Sequence, residues 1–140
     1  MTTTPYLKPL PAISQENEPF WEGLKRHEFL VPKCADCGSW NWVPYPACRN
    51  CLSENQEWTK VSGDATIYTY TIITRGHGQF NDEAPYALVV AQLAESPLDC
   101  LVIGNTRGIP NEELEIGKPV KIVFEDIPDE DVTLWRFGPA

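Results

Sequence analysis

The sequence predicts a mainly β protein: a short N-terminal helix, a small four-cysteine metal module and a C-terminal five-stranded barrel. Three observations predict it. Two Cys-x-x-Cys pairs stand ten residues apart in the first half, five β-rich runs separated by turn signals fill the second, and a single short helix signal lies near residue 20. The composition, 42% hydrophobic and 22% charged, is ordinary for a globular chain and speaks against a disordered or collagen-like protein. Five cysteines in 140 residues are too sparse for a secreted disulfide scaffold. No apolar run approaches the roughly 18 residues that suggest a membrane span, and the first ten residues lack a basic region followed by an apolar stretch. The expectation is a cytoplasmic protein with no membrane partner.

Taken in order, residues 1–15 read as an extended arm, with three threonines and three prolines and no apolar period. Asn17-Glu18-Pro19 then signals a helix: a capping side chain, an acid where the helix dipole favours one, and a proline in the first turn. Phe20, Trp21 and Leu24 share one side of that helix, which is too brief to stand without a surface to pack on. Phe29–Lys33 leads extended into the first cysteine pair, Trp40–Val43 reads as a strand, and Pro44-Tyr45-Pro46 turns the chain toward the second pair. Glu57–Val61 reads as another strand, so the helix and metal module occupy residues 16–62.

Beyond the turn signal Ser62-Gly63-Asp64, residues 63–140 carry five strands: Ala65–Thr74, Tyr86–Leu93, Cys100–Thr106, Val120–Asp126 and Thr133–Phe137. Leu88 and Val90 oppose Val89 and Leu93 in the second, so that strand is apolar on both faces and is expected to be central. Glu95–Asp99 is a compact hairpin connection, Arg75–Pro85 a long glycine-bearing loop, and Ile116-Gly117-Lys118-Pro119 a tight turn before a strand. Five short strands in about 75 residues fit a small Greek-key barrel such as an OB-fold, with a sandwich as the alternative.

The pairs Cys34-Ala35-Asp36-Cys37 and Cys48-Arg49-Asn50-Cys51 carry the strongest chemical signal. Two residues between the sulfurs of each pair let both thiolates face one ion while backbone amides turn toward them, so two such knuckles complete a tetrahedral site. Gly38 suits the left-handed residue that ends a knuckle; Leu52, in the equivalent place, departs from that preference. The site is read as one structural Zn²⁺ on Cys34, Cys37, Cys48 and Cys51, closed to water and so unsuited to hydrolysis. A single iron in a rubredoxin-like carrier is the alternative that colour would distinguish, and disulfides or a dithiol pair are disfavoured because no βαβ context surrounds either pair. Cys100, within an apolar run, reads as a small buried hydrophobe.

Four of the five tryptophans fall in the first 60 residues. Packing of a small module explains them, and an aromatic surface for a protein interface or a stacked adenine ring is the functional alternative, placing Trp21, Trp40 and Trp42 among the candidate contacts. Lys25 and Arg26 are candidate phosphate or partner contacts, against the simpler reading of scattered surface cations. Arg75 and His77 sit on the long loop, where a rigid barrel could present them to a ligand or partner, although His77 also reads as merely solvent-exposed. His27, at the helix end, reads as a complement to the dipole. No Gly-rich phosphate loop, serine elbow or HExxH helix is present, so no catalytic residue is assigned and the chain is not expected to be catalytic alone.

The succession Pro19-Phe20-Trp21-Glu22-Gly23-Leu24, Leu30-Val31-Pro32-Lys33-Cys34-Ala35-Asp36-Cys37-Gly38 and Pro44-Tyr45-Pro46-Ala47-Cys48-Arg49-Asn50-Cys51 resembles the zinc-ribbon and OB-fold proteins long grouped as a domain of unknown function. Val61-Ser62-Gly63, Pro85-Tyr86-Ala87-Leu88-Val89-Val90, Ile116-Gly117-Lys118-Pro119-Val120 and Leu134-Trp135-Arg136-Phe137 extend the likeness from Glu16 to the C-terminus. The resemblance implies a rubredoxin-like zinc ribbon and an OB barrel. It also implies a small subunit or acyl-CoA-binding module beside thiolase-superfamily enzymes: acyltransferases, hydroxymethylglutaryl-CoA synthases or the aldolases of steroid side-chain degradation. Some members pair with MaoC-like hydratases. A coenzyme A thioester is therefore an implied ligand and a hetero-oligomer an implied state. The four cysteines match the family's ligands position by position, whereas catalysis in such complexes belongs to the partner.

Charge narrows the alternatives. Through Ser62 six basic residues face seven acidic ones, whereas from Gly63 five face thirteen, so the barrel half carries −8 of the net −9. Zinc ribbons and OB barrels both serve nucleic-acid binding elsewhere, but such binding draws on cations displacing counterions, and this half repels a phosphate backbone. The expectation is a non-catalytic accessory subunit or acyl-CoA-binding module of a thiolase-like aldolase or acyltransferase complex. The alternatives are a free-standing acyl-CoA-binding protein or a MaoC-like hydratase partner and, last, a single-stranded nucleic-acid module.

Overall fold

The computed structural model describes residues 6–140; the first five residues of the expected arm 1–15 lie outside them. In chain order come α1 (Glu18–Lys25), β1 (Leu30–Cys34), β2 (Gln56–Lys60), β3 (Asp64–Ile73), β4 (Tyr86–Leu93), β5 (Leu101–Asn105), β6 (Pro119–Ile127) and β7 (Val132–Pro139). Short 3₁₀ turns at Gly78–Glu83 and Asn111–Glu113 interrupt the longer connections. Among the described residues no helix is long and apolar enough to cross a membrane.

Two sheets result. β1 and β2 form an antiparallel ribbon, with Leu30 opposite Lys60 and Cys34 opposite Gln56, so the first knuckle begins where the ribbon ends. The second sheet runs β5-β4-β3-β6-β7, every neighbouring pair antiparallel. Its ladder is not closed into a continuous barrel. A single parallel bridge, Thr106 to Phe137, and the Arg107 amide donating to Phe137 O at 2.9 Å bring its two edges together in the barrel-like OB arrangement. β3 curls through a register shift between Ile67 and Thr69, which lets it pair with β4 along its length and with β6 at its start.

One core crosses both sheets. Phe20 and Leu24 from α1, Phe29 just before the ribbon and Val31 within it, and Ile67, Val89, Leu93, Val102, Val120 and Phe137 from the large sheet belong to a single buried cluster. Phe20 is its aromatic hub, with ring centroids 5.2 Å from Trp21, 5.3 Å from Phe29, 5.2 Å from Trp42 and 5.5 Å from Trp135. The helix that is too short to stand alone is thus held on β7 and β1. Gly23 permits the approach: a Cβ there would lie 2.7 Å from Leu30 Cδ1.

Several expectations are corrected. Asn17 does not cap α1 with its side chain; Oδ1 accepts from the Ser14 amide at 2.7 Å and Nδ2 donates to Ala12 O, so the amide organises the turn before the helix. Trp40–Val43 is not a strand. Trp40 makes one bridge to Lys33 and the Asn41 amide donates to Pro32 O at 2.8 Å, after which the chain leaves the ribbon toward the prolines, which lack the ladder donor. β4 is paired on both sides, but only its Val89 and Leu93 face is buried; Leu88 is exposed and β3 takes the central place. The described part of the arm turns back on its own protein: Lys8 Nζ lies 2.9 and 3.0 Å from the two Glu83 carboxylate oxygens, on the 3₁₀ turn of the long loop.

His27 also differs from its reading as a dipole complement. It lies past α1 with φ of 59°, its ring stacks on Phe124 at 5.0 Å, and Nε2 meets Asp126 Oδ1 at 3.0 Å. The Thr133 hydroxyl, donating to Asp126 at 2.7 Å, and then His27 hold the Asp126 carboxyl below its ordinary value. A depressed carboxyl contributes stability above its unfolded pKa of about 4 and loses that contribution as pH falls through the folded value. The expected result is that Asp126→Asn melts below the parent at pH 6 and that the gap narrows toward pH 3. Thermal melts of both proteins across that range check it, since acid release of metal moves the two alike.

Candidate metal centre and its surroundings

Each knuckle is built by the same backbone pattern. The Gly38 amide donates to Cys34 O at 2.9 Å and the Cys34 amide to Ser39 O at 2.8 Å; Leu52 to Cys48 O and Cys48 to Ser53 O repeat these bonds at 2.9 and 2.8 Å. Both closing residues are left-handed, Gly38 at φ 78° and Leu52 at φ 64°, so the leucine takes the glycine conformation rather than abolishing the turn. A left-handed non-glycine residue costs roughly 1–2 kcal/mol. Leu52 is 78% exposed and loses little packing on truncation. Leu52→Gly is therefore expected to be neutral or to stabilise by up to about 1 kcal/mol after the glycine entropy cost, checked by urea unfolding of the metal-loaded protein. Marked destabilisation would contradict the strain argument.

The four sulfurs converge. All lie within 4.8 Å of one another, with Cys34 to Cys51 at 3.6 Å and Cys37 to Cys48 at 3.5 Å. A tetrahedral ion with Zn–S bonds of about 2.3 Å requires sulfur separations of about 3.8 Å, so the cysteines fit zinc with a small expansion. Cys34 and Cys48 are buried and Cys37 and Cys51 exposed. Backbone and side-chain donors face the sulfurs as thiolates need: the Cys37 amide toward Cys34 Sγ at 3.5 Å, the Asn50 amide toward Cys48 Sγ at 3.4 Å and Asn50 Nδ2 toward Cys37 Sγ at 3.6 Å. The buried Asn41 ties the knuckles together, accepting from the Arg49 amide at 3.0 Å.

Without a cation the four thiols cannot share this space as thiolates. The Ser39 hydroxyl and amide, with Asn50, hold Cys37 down to about 6. The Ser53 amide favours ionised Cys51, yet desolvation and its bonds with the other three sulfurs outweigh it and push Cys51 up to about 12. A dication removes the conflict by taking all four as thiolates. Zinc held by Cys34, Cys37, Cys48 and Cys51 would supply a fixed cross-link and, with four protein ligands, would leave no open position. The Cys100 thiol is buried and pushed up to about 11 by desolvation, in keeping with its reading as a hydrophobe.

The other sequence candidates are not brought to one place. Trp21 lines an apolar cleft of about 260 Å³ with Leu88, Ile103 and Trp135 on the outer side of the large sheet. Trp42 is half-buried in the aromatic cluster. Trp40 carries Lys33 Nζ 5.0 Å over its ring and borders a polar cleft with Arg49, Asn50 and Asp99 beside the metal centre. Lys25 pairs with Asp131 at 3.0 Å and Glu22 at 3.1 Å, and Arg26 with Glu28 at 3.4 Å, so both cations are engaged by the protein's own acids. Arg75 and His77 are exposed on the long loop. Sequence reasoning missed the serines, Asn41 and Asn50 around the sulfurs, although Ser39 and Ser53 stand at equivalent offsets from their pairs and offered a signal.

Two family models match the chain in succession. Residues 21–57 match the family described as "ChsH2, rubredoxin-like zinc ribbon domain", and residues 58–125 match "ChsH2, C-terminal OB-fold domain". A probable enoyl-CoA hydratase alpha subunit from Thermomonospora curvata is 30% identical over 135 residues, 96% of this chain but 40% of that subunit. A DUF35 domain-containing scaffold protein from Methanocaldococcus jannaschii is 26% identical over 112 residues, 79% of this chain and 77% of that protein. Among solved structures, a chain of the Ltp2-ChsH2(DUF35) aldolase superposes with a TM-score of 0.81 at 27% identity, covering 93% of this chain and 98% of that one. The chain thus spans about two fifths of the hydratase subunit and nearly the whole of the aldolase chain.

Proposed function

The chain belongs to the DUF35 family, which joins a ChsH2-type zinc ribbon to a ChsH2-type OB-fold, and from that premise we propose that it is a non-catalytic accessory subunit of a thiolase-like aldolase or acyltransferase. The observation that carries the reading is the likeness, along nearly all of both chains, to a chain of the Ltp2-ChsH2(DUF35) aldolase. The scaffold description of the archaeal relative points the same way.

The surface supports a docking role. Leu88, Leu101 and Ile103 are 36%, 37% and 55% exposed on the outer side of β4 and β5, beside Trp21 and Trp135. A contiguous apolar strip bordered by aromatic side chains is the composition of an interface centre. The zinc centre is assigned a structural part: it fixes the knuckles against the ribbon while the partner supplies the reacting groups. Four reduced cysteines suit a cytoplasmic setting. A coenzyme A thioester belongs to the proposal as a ligand shared with the partner, for which Trp40, Arg75 and His77 remain the candidate contacts. The hydratase-subunit relative favours a second reading, in which the partner is a MaoC-like hydratase.

Co-expression with a thiolase-like enzyme and with a MaoC-like hydratase from the same genome tests the proposal. The expected result is a stoichiometric complex with the thiolase-like enzyme, weakened by Ile103→Glu. A complex with the hydratase alone would transfer the assignment to the second reading, and separate elution from both would refute an accessory role.

A further inference from the structure

Strand alternation places Gln56 and Trp58 on the same face of the β1–β2 ribbon, with Pro32 paired opposite Trp58. There, against Tyr45, Glu16 and Glu54, lies a cavity of about 180 Å³, below the 300–1,000 Å³ of a typical small-molecule site and close to the bulk of one long side chain. We propose that this cavity receives an arginine side chain of a protein partner.

Charge is the first argument. The lining holds two carboxylates and no lysine, arginine or histidine, and neither the Glu16 nor the Glu54 carboxylate has a hydrogen bond or ion pair among the described residues. The amide of Gln56 is the second. Its Nε2 donates to Tyr45 O at 2.6 Å, whereas its Oε1 is buried and is the single buried side-chain polar atom without a partner among the described residues. A guanidinium offers five donors and no acceptor, so it matches the two unpaired carboxylates and the unpaired Gln56 oxygen. Aromatic surface is the third: Tyr45 and Trp58 provide faces for a flat, weakly hydrated cation, which favours arginine over the compact, strongly hydrated lysine ammonium. The protein already uses this chemistry on itself. Lys8 Nζ rests between Glu83 and the rings of Tyr6 and Phe80, at 5.2 and 5.6 Å from their centroids, with its side chain 14% exposed.

The partner invoked is that of the proposed function, so the inference rests partly on that reading, and the experiment has two arms. In the first, the full zinc-loaded chain is titrated with N-acetyl-argininamide and, separately, N-acetyl-lysinamide while the Trp58 indole N–H resonance is followed. The expected result is a saturable shift with arginine, weaker by several-fold with lysine and with the exposed double variant Glu16→Gln/Glu54→Gln. No saturable shift, or an equal one in the variant, would overturn the assignment. In the second, the affinity of the co-purified enzyme for wild type and for the double variant is compared, with an expected loss of about tenfold. Equal affinity would overturn the docking role. If the wild-type chain captures no enzyme, the proposed function fails by itself, and the titration still decides the cavity.

Discussion

Cys48→Ala is expected to abolish metal binding and the cooperative folding of the N-terminal half. Cys48 is fully buried, its sulfur lies 3.5 Å from that of Cys37, and its carbonyl and amide close the second knuckle. A structural zinc contributes on the order of 10 kcal/mol of apparent binding free energy at neutral pH, against a total stability of about 5–15 kcal/mol. Three ligands left around an incomplete site cannot replace that. The measurement is zinc content together with the near-ultraviolet circular dichroism of the tryptophans. The wild type is expected to hold one zinc and a structured aromatic signal, the variant neither. Acidification should act in the same direction, because protons compete for thiolates that the metal needs. A variant that kept one zinc and an unchanged thermal midpoint would exclude the four-cysteine site.

Phe20→Ala is expected to cost about 3–5 kcal/mol without touching the metal. Phe20 is 3% exposed and contacts four aromatic rings, two from the segments around the metal module and one, Trp135, from the last strand. Its removal opens a cavity at the point where α1, the ribbon and the large sheet share one core. Edge-to-face pairing with Phe29 and Trp135 is lost in addition to buried area. Urea unfolding should show the midpoint falling while the denatured protein's metal stoichiometry on refolding stays at one. Leu98→Ala, at a side chain 88% exposed, is the control and should stay within about 0.5 kcal/mol. If the two variants behaved alike, the helix would not be held by this cluster.

The features that could be read in the sequence are those written locally. Cys-x-x-Cys spacing places two thiolates on one turn whatever the surroundings, and short β-rich runs bounded by turn signals, such as Tyr86–Leu93, declare strands through their own composition. Trp40–Val43 misled because β-branched and aromatic content resembles a strand even where only one residue finds a ladder partner. Asn17 misled because a side chain that suits a helix cap equally suits a turn, and the turn before α1 takes it. The cavity at Trp58 gave no sequence signal at all, because Glu16, Tyr45 and the stretch from Glu54 to Trp58 are apart in the chain and meet only when the ribbon forms. The pairing of Lys8 with Glu83 is hidden for the same reason: its partners are 75 residues apart.

The most direct test of the accessory-subunit account is to titrate the purified, zinc-loaded chain into a purified thiolase-like enzyme from the same genome and follow the cleavage or transfer of acyl-CoA. The account predicts that the chain alone is inactive and that the enzyme's rate rises and saturates at one fixed stoichiometry. Turnover by the chain alone, or an enzyme rate that does not move across the titration, would contradict it.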